Sequence, residues 1–274
     1  MTDKQTQFRT RPSIFVGHGA PDLILSDIPA RKFFTDFESH LPTPRGIVVV
    51  SAHWQTTDLQ MTAATAQDTI HDFFGWPAPL YDIEYPASGA DWLNDGLTRS
   101  LDEAGYSARV GSRPGLDHGA WVPLSLMYPQ ADIPIVQLSL LHDATPEQHF
   151  RIGQALNSLR QECVMILGSG GLVHNLRALK PEGTPPDKWA QSFDTWLLER
   201  LQARELQDLL DVSDKAEQVR MAHPTDEHLM PLFVAMGAGW SDGHTRQIHQ
   251  SFSYGNLSMA AYAFGHPDTT GGLT

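Results

Sequence analysis

The chain of 274 residues contains one cysteine, Cys163. A single cysteine excludes an internal disulfide framework and a cysteine-built zinc finger. Cys163 precedes the apolar run Val164-Met165-Ile166-Leu167, which is the setting of a buried structural thiol and a poor one for a nucleophile. No apolar run approaches the roughly 20 residues of a membrane-spanning helix. Residues 1–11 are polar and mixed in charge, without the apolar core of a secretion signal, so the expected location is the cytoplasm. Basic side chains are scarce as well: 19 Lys and Arg stand against 32 Asp and Glu, a net charge of -13. Nucleic acids and anionic membranes select basic patches, so neither is an expected partner. Several motifs are also missing. There is no Gly-x-Gly-x-x-Gly after the first apolar run, no Walker loop, no His-Glu-x-x-His and no Gly-x-Ser-x-Gly elbow.

The chain is 41% hydrophobic and 19% charged, which is a globular composition with enough apolar side chains for a large core. Four short apolar runs stand out: 13–16, 47–50, 133–138 and 164–167. Most are continuous rather than alternating, the pattern of strands buried on both faces of a parallel sheet. Amphipathic stretches lie between them. Residues 90–104 place Trp92, Leu93, Leu97 and Leu101 on one stripe. Residues 146–159 begin with Thr145 as N-cap and Pro146 in the first turn, and 189–210 read as one long helix. Residues 247–252 and 257–262 read as closing strands. The expected fold is an α/β protein with a mostly parallel central sheet, helices on both faces and a metal site at the C-terminal edge of the strands. It forms one domain over residues 12–264, with flexible termini at 1–11 and 265–274. Residues 67–87, rich in Pro, aromatics and Asp, read as a functional loop.

Histidine is the abundant ligand type, with 13 in the chain. Three follow three different apolar runs. Val16 leads to Gly17-His18-Gly19, Val50 to Ser51-Ala52-His53-Trp54, and Leu167 to Gly168-Ser169-Gly170-Gly171-Leu172-Val173-His174. In an open parallel sheet ligands bind beyond the carboxyl ends of the strands, so parallel strands bring these three imidazoles to one edge. The flanking glycines permit tight turns and close backbone approach. His228, in His223-Pro224-Thr225-Asp226-Glu227-His228, is expected in a first helical turn capped by Thr225. His118 lies in Asp117-His118-Gly119, before a helix. His40, His149, His244 and His266 read as surface residues, and His142 as surface or supporting. Spacing supports a histidine-rich metal site and does not reach the reaction.

The ordered set of motifs does reach further. Phe15-Val16-Gly17-His18-Gly19-Ala20-Pro21, Val50-Ser51-Ala52-His53-Trp54, Thr69-Ile70-His71-Asp72-Phe73, Asp117-His118-Gly119, Val173-His174-Asn175-Leu176 and Pro224-Thr225-Asp226-Glu227-His228 occur in this order. Together they closely resemble the class III extradiol ring-cleaving dioxygenases, in their DOPA-type branch, from about Pro12 to Phe264. The resemblance implies a non-haem Fe(II) enzyme that opens a catechol with O2 to a muconic semialdehyde, working as a monomer or small homo-oligomer. It implies His18, His53 and His228 as metal ligands, His174 as acid/base and His118 at the substrate. The neighbouring Glu227 keeps a two-histidine, one-carboxylate set open.

Neutral imidazoles suit Fe(II) and leave its full charge to favour a deprotonated catechol. Imidazole near pKa ~6.5 can both take and return a proton. His71 is expected to hydrogen-bond the substrate. Trp54, Phe73, Trp76 and Trp121 are expected either to wall the ring or to pack as core. Two alternatives use the same residues: a Zn(II) hydrolase on the same histidines, and a Memo-like binding module without activity. Zn(II) is also expected to enter the site in purified protein.

Overall fold

A computed structural model describes residues 10–39, 41 and 43–265. Eight strands form one sheet: β1 (Ser13–Gly17), β2 (Gly46–Thr56), β3 (Gln60–Met61), β4 (Arg109–Val110), β5 (Ile135–Leu141), β6 (Val164–Gly170), β7 (Thr245–His249) and β8 (Ala261–Phe264), in the order β4-β3-β5-β2-β6-β1-β8-β7. The four central strands β5, β2, β6 and β1 are mutually parallel, while β8 and β7 close one side antiparallel.

The central strands read as unbroken apolar runs because each serves two cores. Ile14, Val16, Ile47, Val49, Met165 and Leu167 point to one face, against α1 (Pro29–Asp36) and α3 (His118–Met127). Phe15, Val48, Val50, Val164 and Ile166 point to the other. There they meet α2 (Asp91–Glu103), α4 (Pro146–Ala155), α5 (Lys188–Ala203) and α6 (Met230–Gly239). The period of two divides each run between faces, and helices cover both. Because β2, β6 and β1 are adjacent and parallel, their carboxyl ends share one edge of the sheet. The residues after them therefore converge.

α6 is buried at all ten positions and crosses α4 at close range. A Cβ on Gly237 would lie 2.0 Å from the Phe150 carbonyl oxygen, and one on Gly153 would lie 2.1 Å from that of Val234. Only glycine permits this approach of two helix backbones. The crossing fixes where α6 begins, immediately after His228.

Some boundaries depart from expectation. The stretch 146–159 starts as read, with Thr145 and Gln148 forming a reciprocal capping box, but α4 ends at Ala155 and a separate turn runs Asn157–Gln161. The Asn157 amide donates to the Ala238 carbonyl, a tertiary contact that outweighs continued helix. The long helix expected over 189–210 breaks at Arg204, which adopts φ 56° and lays its guanidinium 4.0 Å from the Trp240 ring centre. The two closing strands are displaced. Between β7 and β8 a small hairpin pairs Phe252–Ser253 with Leu257–Ser258 around Tyr254 and Gly255, both at positive φ. His149 is buried rather than on the surface, its Nδ1–H donating to the Thr145 carbonyl. His142 is exposed beside Asp143, and His244 is half-buried. His40, His266, and the terminal residues 1–9 and 266–274 lie outside the described residues. Arg11 and Gly265, also expected in flexible ends, donate backbone N–H groups to Arg160 and His244.

Candidate metal centre

His18 leaves β1 through Gly17, whose absent side chain lets the strand end lie against the Ser258 carbonyl; a Cβ there would sit 2.4 Å away. The His18 amide donates to the Gly170 carbonyl at the end of β6. His53 lies within β2 rather than after it. The parallel register between β2 and β5 shifts between Val50 and Gln55, and this irregularity re-aims the side chain. His228 sits in the turn before α6, not inside a first helical turn, and Thr225 donates to the Glu227 carboxylate instead of capping the helix. The His228 carbonyl accepts from Gly171, and Gly170 faces the same oxygen with space for no Cβ. His118 opens α3 behind the N-cap Asp117. The next residue, Gly119, allows the rings to pack: a Cβ there would meet Ser51 Oγ at 2.4 Å, His53 Cδ2 at 2.9 Å and His18 Cε1 at 3.1 Å.

Hydrogen bonding fixes which nitrogen carries the proton in His18 and His228. The Ser169 hydroxyl donates to the Gly119 carbonyl, so its oxygen accepts from His18 Nδ1–H at 3.0 Å. His228 Nδ1–H donates to Glu227 Oε1 at 2.8 Å. Both rings therefore present unprotonated Nε2 atoms. His53 Nε2 lies 3.1 Å from His18 Nε2 and 3.3 Å from His228 Nε2. Two nitrogens each about 2.1 Å from a shared ion, at angles of about 90–109°, are about 3.0–3.4 Å apart. The three nitrogens thus fit a metal ion.

Burial, and next the neighbouring imidazoles, hold His18 and His228 well below the ordinary imidazole range. Burial and His118 bring His53 to about 3, against the opposing pull of Asp72. All three are neutral at pH 7, the form that binds metals.

Two looser groupings of possible ligand atoms, each within 4.8 Å, are His18-His53-His118 and His174-Glu227-His228. The short Nε2 contacts cut across both and favour His18, His53 and His228. His118 commits Nδ1 to Asp72 at 2.8 Å. Glu227 lies on the Nδ1 side of His228, away from His53. His174 stacks on His228 with ring centres 3.3 Å apart and planes 7° apart, so its nitrogens do not converge with the other three. Burial lowers His174 to about 4, with Glu227 opposing the shift. The His174 loop is short because β6 continues through Gly168-Ser169-Gly170.

Phe73 is buried and meets His118 edge-on at 5.6 Å, with Trp121 6.4 Å behind it. Trp121 is fully buried and donates its indole N–H to the Ile70 carbonyl, so it braces the loop. Trp54 lies 5.2 Å from the Arg113 guanidinium, and among the described residues no ring pair joins it to the histidines. His71 bonds the Ile83 carbonyl and lines an open cleft of about 630 Å³ together with Tyr81, Asp68, Asp82 and Glu84. Trp76 is half-buried, 6.5 Å from Tyr254. The sequence reading gave no role to Ser169 or Asp72. Their partners lie far along the chain, and nothing local in the sequence signals such pairs.

An α/β sheet with histidines converging at the carboxyl ends of its strands is an architecture built to hold a metal ion, and the comparisons say of which family. The chain belongs to the family of the catalytic LigB subunit of aromatic ring-opening dioxygenases, which matches residues 31–265. It is 38% identical over 260 residues to a 4,5-DOPA dioxygenase extradiol of Beta vulgaris, covering 93% of this chain and 96% of that protein. The 4,5-DOPA dioxygenase extradiol of Escherichia coli K12 is 38% identical over 259 residues, covering 93% and 94%. A solved structure of an uncharacterized Escherichia coli K12 protein superposes with TM-score 0.77 at 33% identity, covering 93% of this chain and all of that one.

Proposed function

We propose that this chain is an Fe(II)-dependent extradiol dioxygenase that opens a single-ring catechol bearing a side chain, of the DOPA kind, to a muconic semialdehyde. The observation that carries the proposal is the convergence of the Nε2 atoms of His18, His53 and His228, with His53 Nε2 at 3.1 and 3.3 Å from the other two. When bound there, iron supplies the electronic route by which triplet O2 reacts with a singlet ring.

The surrounding side chains do the rest. His118 and His174 flank the three nitrogens and are the groups able to take a hydroxyl proton from the catechol and return it during ring opening. His174 is neutral at pH 7, so it starts as a proton acceptor. Phe73 presents a ring edge-on to His118 and offers an apolar wall for one aromatic ring. The relatives named for 4,5-DOPA support a catechol with a polar side chain.

Oxygen uptake decides the matter. Protein loaded anaerobically with Fe(II) is mixed with DOPA, protocatechuate, catechol and dihydroxybiphenyl in air-saturated buffer. DOPA or a similar single-ring catechol should give the highest kcat/KM and a coloured ring-opened product. Zinc has no redox chemistry, so the zinc-loaded sample should consume no oxygen. Turnover of any substrate by the zinc form without oxygen would establish a hydrolase instead, and a preference for dihydroxybiphenyl would reject the single-ring pocket.

A further inference from the structure

Asp72 is the point at which the loop after Thr69 touches the histidines. Its Oδ1 accepts two hydrogen bonds from one residue, the His118 backbone N–H at 3.0 Å and the His118 Nδ1–H at 2.8 Å. Its Oδ2 lies 3.7 Å from His53 Nδ1. The carboxylate also stands at the N-terminus of the ten-residue α3, where unpaired amides favour negative charge. An Oδ1 that takes two N–H groups is an acceptor, so Nδ1 of His118 carries the hydrogen, and in the neutral ring Nε2 carries the lone pair. The backbone bond adds a second constraint, since it ties the carboxylate to the same residue whose ring it orients. The His118 ring is thereby held 4.0 Å from His53 and 5.7 Å from His18, centre to centre.

We infer that Asp72 is a positioning residue for His118, clamping its backbone and Nδ1 so that Nε2 is the proton-accepting atom for a catechol hydroxyl. The inference rests on the dioxygenase reading for the identity of the hydroxyl, and on geometry alone for the clamp. In the step it serves, the hydroxyl O–H bond breaks and its electron pair stays on the catechol oxygen. The proton forms a new bond to His118 Nε2. The imidazolium so produced is paired with the Asp72 carboxylate, which takes no proton itself. A buttress of purely structural purpose would tie the loop to α3 without regard to the tautomer of the ring.

The test combines a spectroscopic and a kinetic readout on zinc- and iron-loaded protein. Long-range ¹H–¹⁵N spectra of the zinc-loaded form report the tautomer of each histidine, with His118 assigned from the spectrum of His118→Asn. Wild type should show His118 as the Nδ1–H form. Asp72→Asn, which keeps the volume but puts a competing amide donor on the loop, should shift His118 towards Nε2–H. With iron, kcat should fall about 10–100-fold while KM and zinc affinity stay unchanged. Asp72→Ala should reproduce both effects. His118 remaining Nδ1–H in both variants would overturn the inference. So would a loss of zinc affinity parallel to the loss in kcat, which would make Asp72 a support for His53. If wild type consumes no oxygen with any catechol, the dioxygenase reading falls, and the tautomer spectra still decide the clamp.

Discussion

Ser169 gives its one hydroxyl proton to the Gly119 carbonyl and accepts from His18 Nδ1. This short relay leaves the His18 Nε2 lone pair with the other two. Ser169→Ala removes it, and His18 becomes free to adopt the other tautomer. We expect metal affinity to fall about 10–100-fold, as is usual when a partner behind a ligand is lost. Competition with a chromophoric chelator measures this. An unchanged dissociation constant would show that packing alone orients the ring. His174 should behave oppositely. His174→Ala is expected to retain full metal while kcat drops by on the order of 10²–10⁴, the usual contribution of a positioned proton-transfer group. Metal analysis beside kcat separates the roles, since a variant purified without metal would make His174 a ligand. At this scale His18, His53 and His174 stood out because each follows an apolar run, with glycines nearby for His18 and His174, whereas His228 was picked out as a ligand only by its likeness to a family motif. The atoms that fix their tautomers did not stand out. Asp72 lies 46 residues from His118 and Ser169 lies 151 from His18, and only the folded sheet edge joins them.

At the scale of elements, the four parallel strands were visible from continuous apolar runs, and the start of α4 from Thr145 as N-cap with Pro146 behind it. Ends were less visible, because tertiary contacts set them. Asn157 and Arg204 each end a helix by reaching the C-terminal end of α6, at Ala238 and Trp240. The placement of His228 shows the same principle. Thr225 resembles an N-cap, yet the helix waits until Met230, where α6 can drop into its crossing with α4. That crossing carries a prediction. Gly237→Ala places a methyl group 2.0 Å from the Phe150 carbonyl, a main-chain atom that cannot swing aside. Overpacking of this kind costs about 1–3 kcal/mol. Because α6 begins right after His228, metal affinity should weaken together with stability. Urea denaturation and metal titration of the same sample test both. Lost stability with unaltered affinity would show that the turn carrying His228 is held independently of α6, through the hydrogen bond from Gly171 and the close packing of Gly170.

Across the whole molecule, buried histidine is the group through which acid acts. His18, His53, His174 and His228 belong to the candidate metal centre, while His149 and His223 lie outside it and are buried. Burial lowers both to about 4, opposed in each case by a hydrogen bond to a backbone carbonyl. The second ring nitrogen of each, His149 Nε2 and His223 Nδ1, is buried with no hydrogen-bond partner among the described residues, so a proton placed there would find no acceptor among them. The sign follows from linkage. The unfolded chain binds these protons near pH ~6.5, whereas the folded chain binds them only near 4. Between the two the unfolded state holds more protons, so the stability is present above pH ~6.5 and is lost as pH falls through that window. Each such histidine contributes a slope of about 1.4 kcal/mol per pH unit. Metal-free protein should therefore lose stability steeply between about pH 6.5 and 4. His149→Gln isolates one contributor away from the ligands, because the amide can still donate towards the Thr145 carbonyl but cannot take a proton. Its acid limb, measured by urea denaturation at successive pH values, should be shallower than wild type by about 1.4 kcal/mol per pH unit, with metal stoichiometry unaltered. An identical slope in the two proteins would mean that His149 is already protonated or solvated in the native state, and acid sensitivity would then belong to the remaining buried histidines.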